Sequence, residues 1–220
     1  MELIGTVLPL ALVVGLSPLP IMPAVLLLLG PGARRNGPAY LAAWVVALTL
    51  VVLIALWLGS RADPGPATDE GIGWLQVVTG SVFLVMGLVK WLRRSPTDVA
   101  KAPAWMSALD SYTPGQSARL GALMAAANPK NLPMDLAAGA EIAVFADSGG
   151  RAAWGVLLFV AVSSAGIAAP ILSHAALGAR AEPWLRRAKV WLDGNGDRLT
   201  VGVLVVIGAL LVFKGLPAAV

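Results

Sequence analysis

Six long apolar stretches constrain this chain more than any other feature of its sequence. A helix needs about 20 apolar residues to cross the roughly 30 Å hydrocarbon layer of a bilayer. Because 58% of the 220 residues are hydrophobic and 13% are charged, a soluble domain would lack the polar surface to cover these stretches. The sequence therefore predicts an all-α integral membrane protein with transmembrane helices at Leu3–Leu29, Ala39–Gly59, Ile72–Leu92, Ala118–Ala146, Ala152–Gly178 and Leu199–Leu216.

The distribution of basic residues predicts how these helices are oriented. Most of the 16 Lys and Arg residues lie in the first, third and fifth loops, and basic loops are retained in the cytoplasm during insertion. Both termini are then expected outside a bacterial inner membrane that the chain crosses several times. The same topology accounts for the basic pI without a nucleic-acid partner. No basic segment precedes the first apolar stretch, so we interpret it as a retained helix and not as a signal peptide.

Prolines interrupt the first and fourth stretches near their middles. Ser17-Pro18-Leu19-Pro20 lies within the first and Asn128-Pro129-Lys130-Asn131 within the fourth. A proline inside a helix removes a backbone donor and costs about 3 kcal/mol. The sequence predicts that both helices break there, and that the freed backbone faces protein or a hydrated cavity.

The two interruptions divide the chain into similar halves. Three spans with a broken first member recur once, and an odd number of spans turns the second copy upside down, as in many secondary transporters. Gly87 in the third span and Gly208 in the sixth are each followed six residues later by a basic residue. We therefore predict one transmembrane domain over residues 1–220, with a repeat at 3–92, a cytoplasmic linker at 93–117 and an inverted repeat at 118–216.

Charged residues in the fourth span mark the candidate translocation site. Lys130 follows Arg119 by eleven residues, which places it roughly 16 Å deep in a helix. A Lys near the bilayer centre costs about 2.5–3.5 kcal/mol unless it is paired or hydrated. Asp135 is its expected partner, and Asp135 and Glu141 are candidates for proton coupling. A structural ion pair between the repeats is the alternative interpretation.

Two other segments have patterns that predict a structural role. Apolar residues from Trp184 to Leu192 recur at helical spacing beside basic ones, which indicates a short amphipathic helix on the inner membrane surface that ends at Gly194-Asn195-Gly196. In the fifth span, Ser163, Ser164 and Gly166 are small residues of the kind that permits close helix packing.

The broken helices, the Asn-Pro-Lys-Asn segment and the repeated Gly-containing span resemble the lysine exporter (LysE) superfamily. Within it, Ser17-Pro18-Leu19-Pro20, Ala127–Asn131 and the long central loop are most similar to the mycobacterial peptidoglycolipid-addressing, or sulfolipid-addressing, proteins. The resemblance implies a homodimer that helps to export cell-envelope glycolipids, alongside a larger lipid transporter. The family's conserved positions map onto Pro18, Pro20, Asn128, Pro129 and Lys130.

Three functions remain open at the level of sequence. The first is export of an anionic lipid or glycolipid, with a substrate path formed by Ser17, Pro18, Pro20, Asn128, Pro129, Lys130, Asn131 and Asp135. The second is proton-coupled export of a small solute such as an amino acid. The third is a scaffold that assembles a lipid-export complex without transporting. An enzyme is not expected, since no span pairs a nucleophile with a base, and no cofactor or metal site is expected.

Overall fold

Helices make up nearly all of the part of the chain that can be described. A computed structural model describes residues 2–61, 69–92 and 108–219, and no β-strand occurs within these ranges. The α-helices there are α1 Glu2–Gly15, α2 Pro18–Leu29, α3 Ala33–Arg61, α4 Asp69–Leu92, α5 Pro114–Ala126, α6 Leu132–Phe145, α7 Gly149–Leu177 and α8 Glu182–Ala219. Single 3-10 turns at Ala108–Ser111 and Gly178–Ala181 precede α5 and α8.

Several of these helices are long and apolar enough to cross a membrane. Among the described residues, three runs qualify: Ala33–Arg61, Gly149–Gly196 and Arg198–Pro217. Helices α1 and α2 qualify together as a fourth span, bent by 48° at the break between them. The chain is therefore an all-helical protein suited to a membrane, while the arrangement of six spans in two inverted repeats stays a prediction.

The fourth predicted span is two short helices. Helix α5 has 13 residues and α6 has 14, so each is roughly 20 Å long and too short to cross alone. Helix α5 begins with a capping box, in which the Thr113 hydroxyl accepts from the Gln116 N–H and the Gln116 side chain accepts from the Thr113 N–H. The predicted linker thus ends before residue 117, and its residues 93–107 lie outside the described ranges.

The predicted end of the amphipathic segment is wrong. Helix α8 runs for 38 residues and passes through Gly194-Asn195-Gly196 without interruption. A glycine in a helix interior costs about 1 kcal/mol relative to alanine, and here packing outweighs that cost, because Leu185 and Leu192 on the preceding turns are buried. Trp184 and Trp191 are half exposed, so the buried and exposed faces of this segment both carry apolar side chains.

The described helices form two compact units, which do not follow the predicted repeats. The first contains α1–α3, α5–α7 and α8 up to Asp193, and the second contains α4 and α8 from Gly194. Helix α3 runs through the core of the first unit, where Tyr40, Trp44, Leu48 and Val52 form a fully buried stripe at four-residue spacing. The single domain with repeats at 3–92 and 118–216 stays a prediction.

Glycines bring helix backbones together in the first unit. A Cβ added at Gly166 of α7 would collide with the carbonyl oxygen of Gly15 at the end of α1, and one added at Gly121 of α5 would collide with that of Tyr40 in α3. Farther along α6, a Cβ added at Gly139 would meet the Ala55 side chain of α3. Small residues at crossings let membrane helices approach closely, so these contacts fix which helices surround the two breaks.

In the second unit, α4 and the C-terminal part of α8 cross at Gly80 and Gly208. A Cβ on Gly80 would lie 2.6 Å from the Gly208 carbonyl oxygen, and one on Gly208 would lie 2.7 Å from that of Gly80. Gly87 faces Val205. The two helices are therefore antiparallel and touch most closely at this reciprocal glycine contact.

Candidate functional site: two broken helices and a buried polar cluster

The first break lies where Pro18 begins α2. The last backbone bonds of the preceding helix run from Leu16 N to Leu12 O, 2.9 Å, and from Ser17 N to Val14 O, 3.1 Å. Ser17 itself is extended, with φ −69° and ψ 117°, as the residue before a proline is expected to be. Its hydroxyl does not cap α2 and is fully buried. The sequence Ser-Pro therefore ends one helix and starts another.

The second break is a tight turn from Ala127 to Asn131. The Asn128 carbonyl oxygen accepts from the N–H groups of Asn131 and Leu132, at 3.1 and 2.9 Å. The Asn128 side-chain Oδ1 accepts from Lys130 N at 3.1 Å, a local bond that favours turns over helix. The Asn131 carbonyl oxygen then accepts from Asp135 N at 3.0 Å, which starts α6.

Helix contacts place the two breaks next to each other. Helix α1 packs against α6, and α2 packs against α5. The first broken span therefore runs beside the fourth in the opposite direction, first half against second half. Because α1 lies against α6 and α2 lies against α5, the break between α1 and α2 lies beside the break between α5 and α6.

Four of the predicted site residues form a buried polar group at these breaks, here called the break cluster: Ser17, Asn128, Asn131 and Asp135. Each is between 0 and 3% exposed. Within the described residues, no hydrogen-bond partner is found for the Ser17 hydroxyl, the Asn128 Nδ2, either amide atom of Asn131 or either carboxylate oxygen of Asp135. More than nine in ten buried polar groups in proteins are paired, and each unpaired one costs about 1–3 kcal/mol. The cluster can therefore bind polar groups of a ligand.

The remaining predicted residues surround this cluster. Pro18 and Pro20 are buried, and Pro129 is exposed. Lys130 is half buried and lies in the turn itself. Glu141 is also half buried and lies six residues beyond Asp135, roughly 9 Å farther along α6. The structure thus places Lys130 beside the break cluster and Glu141 away from it.

The expected ion pair between Lys130 and Asp135 is wrong. The Asp135 carboxylate makes no hydrogen bond or ion pair within the described ranges. Lys130 lies in the turn before the helix, whereas Asp135 lies in the first turn of α6, which begins at Leu132. The charge of Lys130 is therefore not neutralised by Asp135.

Two residues of α3 in this region were not predicted from the sequence. The Tyr40 hydroxyl of α3 donates to the Pro20 carbonyl oxygen at 2.8 Å in the core. One turn along the same face, the Trp44 indole is fully buried and its Nε1 finds no partner in the described part of the chain. Trp44 lies only five residues inside the predicted span Ala39–Gly59, so the sequence does not separate it from the tryptophans that collect at membrane interfaces.

Ser164 in α7, predicted from the sequence to serve helix packing, is a further buried hydroxyl in this region. Its neighbour Ser163 donates to the Ala11 carbonyl oxygen at 3.4 Å, so the predicted packing role fits Ser163. The Ser164 hydroxyl is buried and has no partner among the described residues. A Cβ on Gly15 would touch the Val162 carbonyl oxygen at 2.7 Å, which places Ser164 within one helical turn of the first break.

A comparison with known protein families identifies the family of this chain. The family model described as Sap, sulfolipid-1-addressing protein, matches residues 7–217. The chain belongs to the sulfolipid-1-addressing protein family. Searches of curated proteins and of solved structures give no significant match.

Membership of the sulfolipid-1-addressing family gives the chain a general role. It connects this membrane-suited helical protein with the addressing of sulfolipids or related lipids. The matched residues include both breaks and the whole break cluster. Within residues 2–61, 69–92 and 108–219, no three His, Cys, Asp or Glu side chains come together as metal ligands would.

Proposed function

We propose that this member of the sulfolipid-1-addressing family exports an anionic cell-envelope lipid or glycolipid across the bacterial inner membrane, as a transporter of the LysE type and not as an enzyme. The head group passes the break cluster, while the acyl chains stay in the apolar environment of the helices. The observation that carries the proposal is the set of buried side chains without partners where two broken helices meet.

The Asn and Ser side chains of the site and the nearby Lys130 support an anionic substrate, whereas the Asp135 carboxylate of the same cluster does not. Asn side chains and hydroxyls donate hydrogen bonds to sulfate, phosphate or carboxylate oxygens, and Lys130 adds a positive charge beside them. A Lys held at membrane depth is costly and is typical of a substrate or ion path. Pro18 and Pro20 lie in the first turn of α2, where backbone N–H groups have no acceptor within the helix, so these prolines favour the start of a new helix there.

The pattern of helix contacts supports two inverted repeats. The first span lies against the fourth, α3 against α7, and α4 against the C-terminal part of α8, so each span contacts its counterpart in the other half. The glycine contacts are also reciprocal. Gly15 of the first span packs on the fifth, and Gly121 of the fourth span packs on the second.

The decisive experiment measures lipid export in a strain that lacks the gene and carries a plasmid copy. Lys130→Ala is expected to lower the amount of envelope lipid at the cell surface about tenfold, because one charge-assisted contact to the head group is lost. The matched control is Arg119→Ala, which removes an exposed positive charge from α5 away from the break. Unchanged surface lipid on deletion of the gene, or equal effects of the two variants, would contradict the proposal.

A second candidate function is proton-coupled export of a small solute, and the buried Asp135 carboxylate favours it. This function requires a solute to leave reconstituted vesicles in response to an imposed pH gradient. Efflux of an amino acid that stops with Asp135→Asn would replace the lipid hypothesis. Coupling through Glu141 would instead leave Asp135→Asn active.

The assembly is also part of the proposal. We expect a homodimer that works beside a larger lipid transporter, and a scaffold without transport is the remaining alternative. Purified protein reconstituted alone separates these cases. Lipid movement between leaflets without the larger partner supports transport, and its absence together with a stoichiometric complex supports a scaffold.

A further inference from the structure

An open, mostly apolar groove lies on the second unit. It has a volume of about 500 Å³ and lies between α4 and the C-terminal part of α8. Its lining is almost entirely apolar, and one basic side chain lies at one end. The lining includes Leu84, Leu88, Trp91, Arg198, Val201 and Val205.

The groove follows from how the two helices cross. They touch at Gly80 and Gly208, where the backbones leave no room for a side chain between them. From this crossing the groove runs along the pair toward Trp91 and Arg198, roughly 15 Å away at 1.5 Å per residue. Gly202 also lines the groove, and a Cβ added there would meet no atom within 4 Å.

The charged end of the groove matches an anionic head group. Arg198 is exposed, and its guanidinium makes one long hydrogen bond of 3.4 Å to Asn195 Oδ1, with no ion pair to any described residue. The guanidinium presents several donors in a plane that fits phosphate, sulfate or carboxylate oxygens. Trp91 at the same end is 56% exposed, and tryptophan favours the level of the lipid head groups.

We propose that this groove binds an anionic membrane lipid, with an acyl chain between α4 and α8 and the head group on Arg198. The site lies within the second unit, whereas the break cluster lies within the first, so the two are independent binding sites. Basic loops predict that the Arg198 end faces the cytoplasm, where anionic lipids attract basic segments. The occupant is a lipid of that leaflet.

Native mass spectrometry of the purified full-length protein tests this site. The probes are phosphatidylglycerol and phosphatidylcholine with identical acyl chains, added at equal concentration. Wild type is expected to retain phosphatidylglycerol in preference. Arg198→Gln lowers that retention roughly tenfold by removing a charge-assisted contact, and leaves phosphatidylcholine unchanged.

Two controls and one steric variant complete the test. Arg187→Gln removes an equal charge from the exposed face of the same helix outside the groove, and should bind like wild type. Gly202→Leu fills the groove and should lower retention of both lipids, whereas Gly194→Leu, also in open space on α8, should not. Equal lipid binding by Arg198→Gln and Arg187→Gln overturns the proposal. Conversion of a dimer to a monomer by Gly202→Leu would also overturn the proposal, because it would show that a second copy of the chain, and not a lipid, occupies the groove. Lipid export plays no part in this readout, so its result is separate from that of the export experiment.

Discussion

At the scale of single residues, Asp135 is the least ordinary member of the break cluster. It is fully buried, and it makes no bond through its carboxylate to any described side chain. Its position in the first turn of α6 is favourable, because the helix dipole attracts negative charge there. That attraction is worth about 1 kcal/mol, less than burial of a carboxylate costs. Such residues are retained where function requires them.

Asp135→Asn is therefore expected to leave stability equal or to raise it, and to stop transport only if Asp135 carries the coupling proton. The amide has nearly the same shape and is cheaper to bury than a carboxylate. Thermal unfolding in detergent and the export measurement together check this expectation. Asp147→Asn is the control, because Asp147 is exposed and forms an ion pair with Arg151 four residues later, which contributes less than about 1 kcal/mol. A lower unfolding temperature for Asp135→Asn would show that the carboxylate is structural.

At the scale of helices, glycine contacts decide which elements surround the break. The crossing of α1 and α7 at Gly15 and Gly166 leaves no space for a methyl group. Overpacking of this kind costs about 1–3 kcal/mol. The crossing lies two residues from Ser17, so its geometry also sets the position of the first break.

Gly166→Ala is expected to lower the free energy of unfolding by about 1–3 kcal/mol. Gly5→Ala is the matched control, since Gly5 lies inside α1 and a Cβ there would meet nothing within 4 Å. That change should be neutral or stabilise by up to about 1 kcal/mol through helix propensity. Denaturant unfolding in mixed micelles measures both. Equal stabilities for the two variants would mean that α1 and α7 do not touch at this point.

Local chemistry explains what the sequence could predict about these elements. Single prolines such as Pro9, Pro38 and Pro170 lie inside continuous helices, so one missing backbone donor does not by itself predict a break. The breaks were predictable because a second proline follows within four residues of Pro18 and of Pro129. The continuation of α8 through Gly194-Asn195-Gly196 was not predictable in this way, because the burial of Leu192 in the folded protein outweighs the low helix propensity of glycine. The absence of a bond between Lys130 and Asp135 likewise depends on where the helix resumes after the turn.

At the scale of the whole molecule, the number of membrane crossings distinguishes the inverted-repeat hypothesis from other topologies. The described residues offer up to four spans by length and hydrophobicity, whereas the repeat hypothesis requires six. The difference depends partly on α5 and α6, which cross only if they act together as one broken span. If they turn back within the membrane, the residues before α5 and after α6 lie on the same side.

Cysteine labelling separates these two topologies, and the chain contains no cysteine of its own. Gly115→Cys at the start of α5 and Gly150→Cys at the start of α7 both place a side chain in open space. With six spans, a membrane-impermeant maleimide labels Gly150→Cys in intact cells and Gly115→Cys only after permeabilisation. Labelling of both variants from the same side would refute the inverted repeat.

The lack of partners in the break cluster affects how easily the two spans can change shape. Separating the first break from the second ruptures no side-chain hydrogen bond between Ser17, Asn131 and Asp135, because none has formed. In the proposed transporter, opening the site toward either leaflet would therefore break no hydrogen bond among these groups, and their hydration would favour the open conformations. A substrate that binds one of these conformations more tightly than the other by a few kcal/mol would be enough to reverse their relative populations.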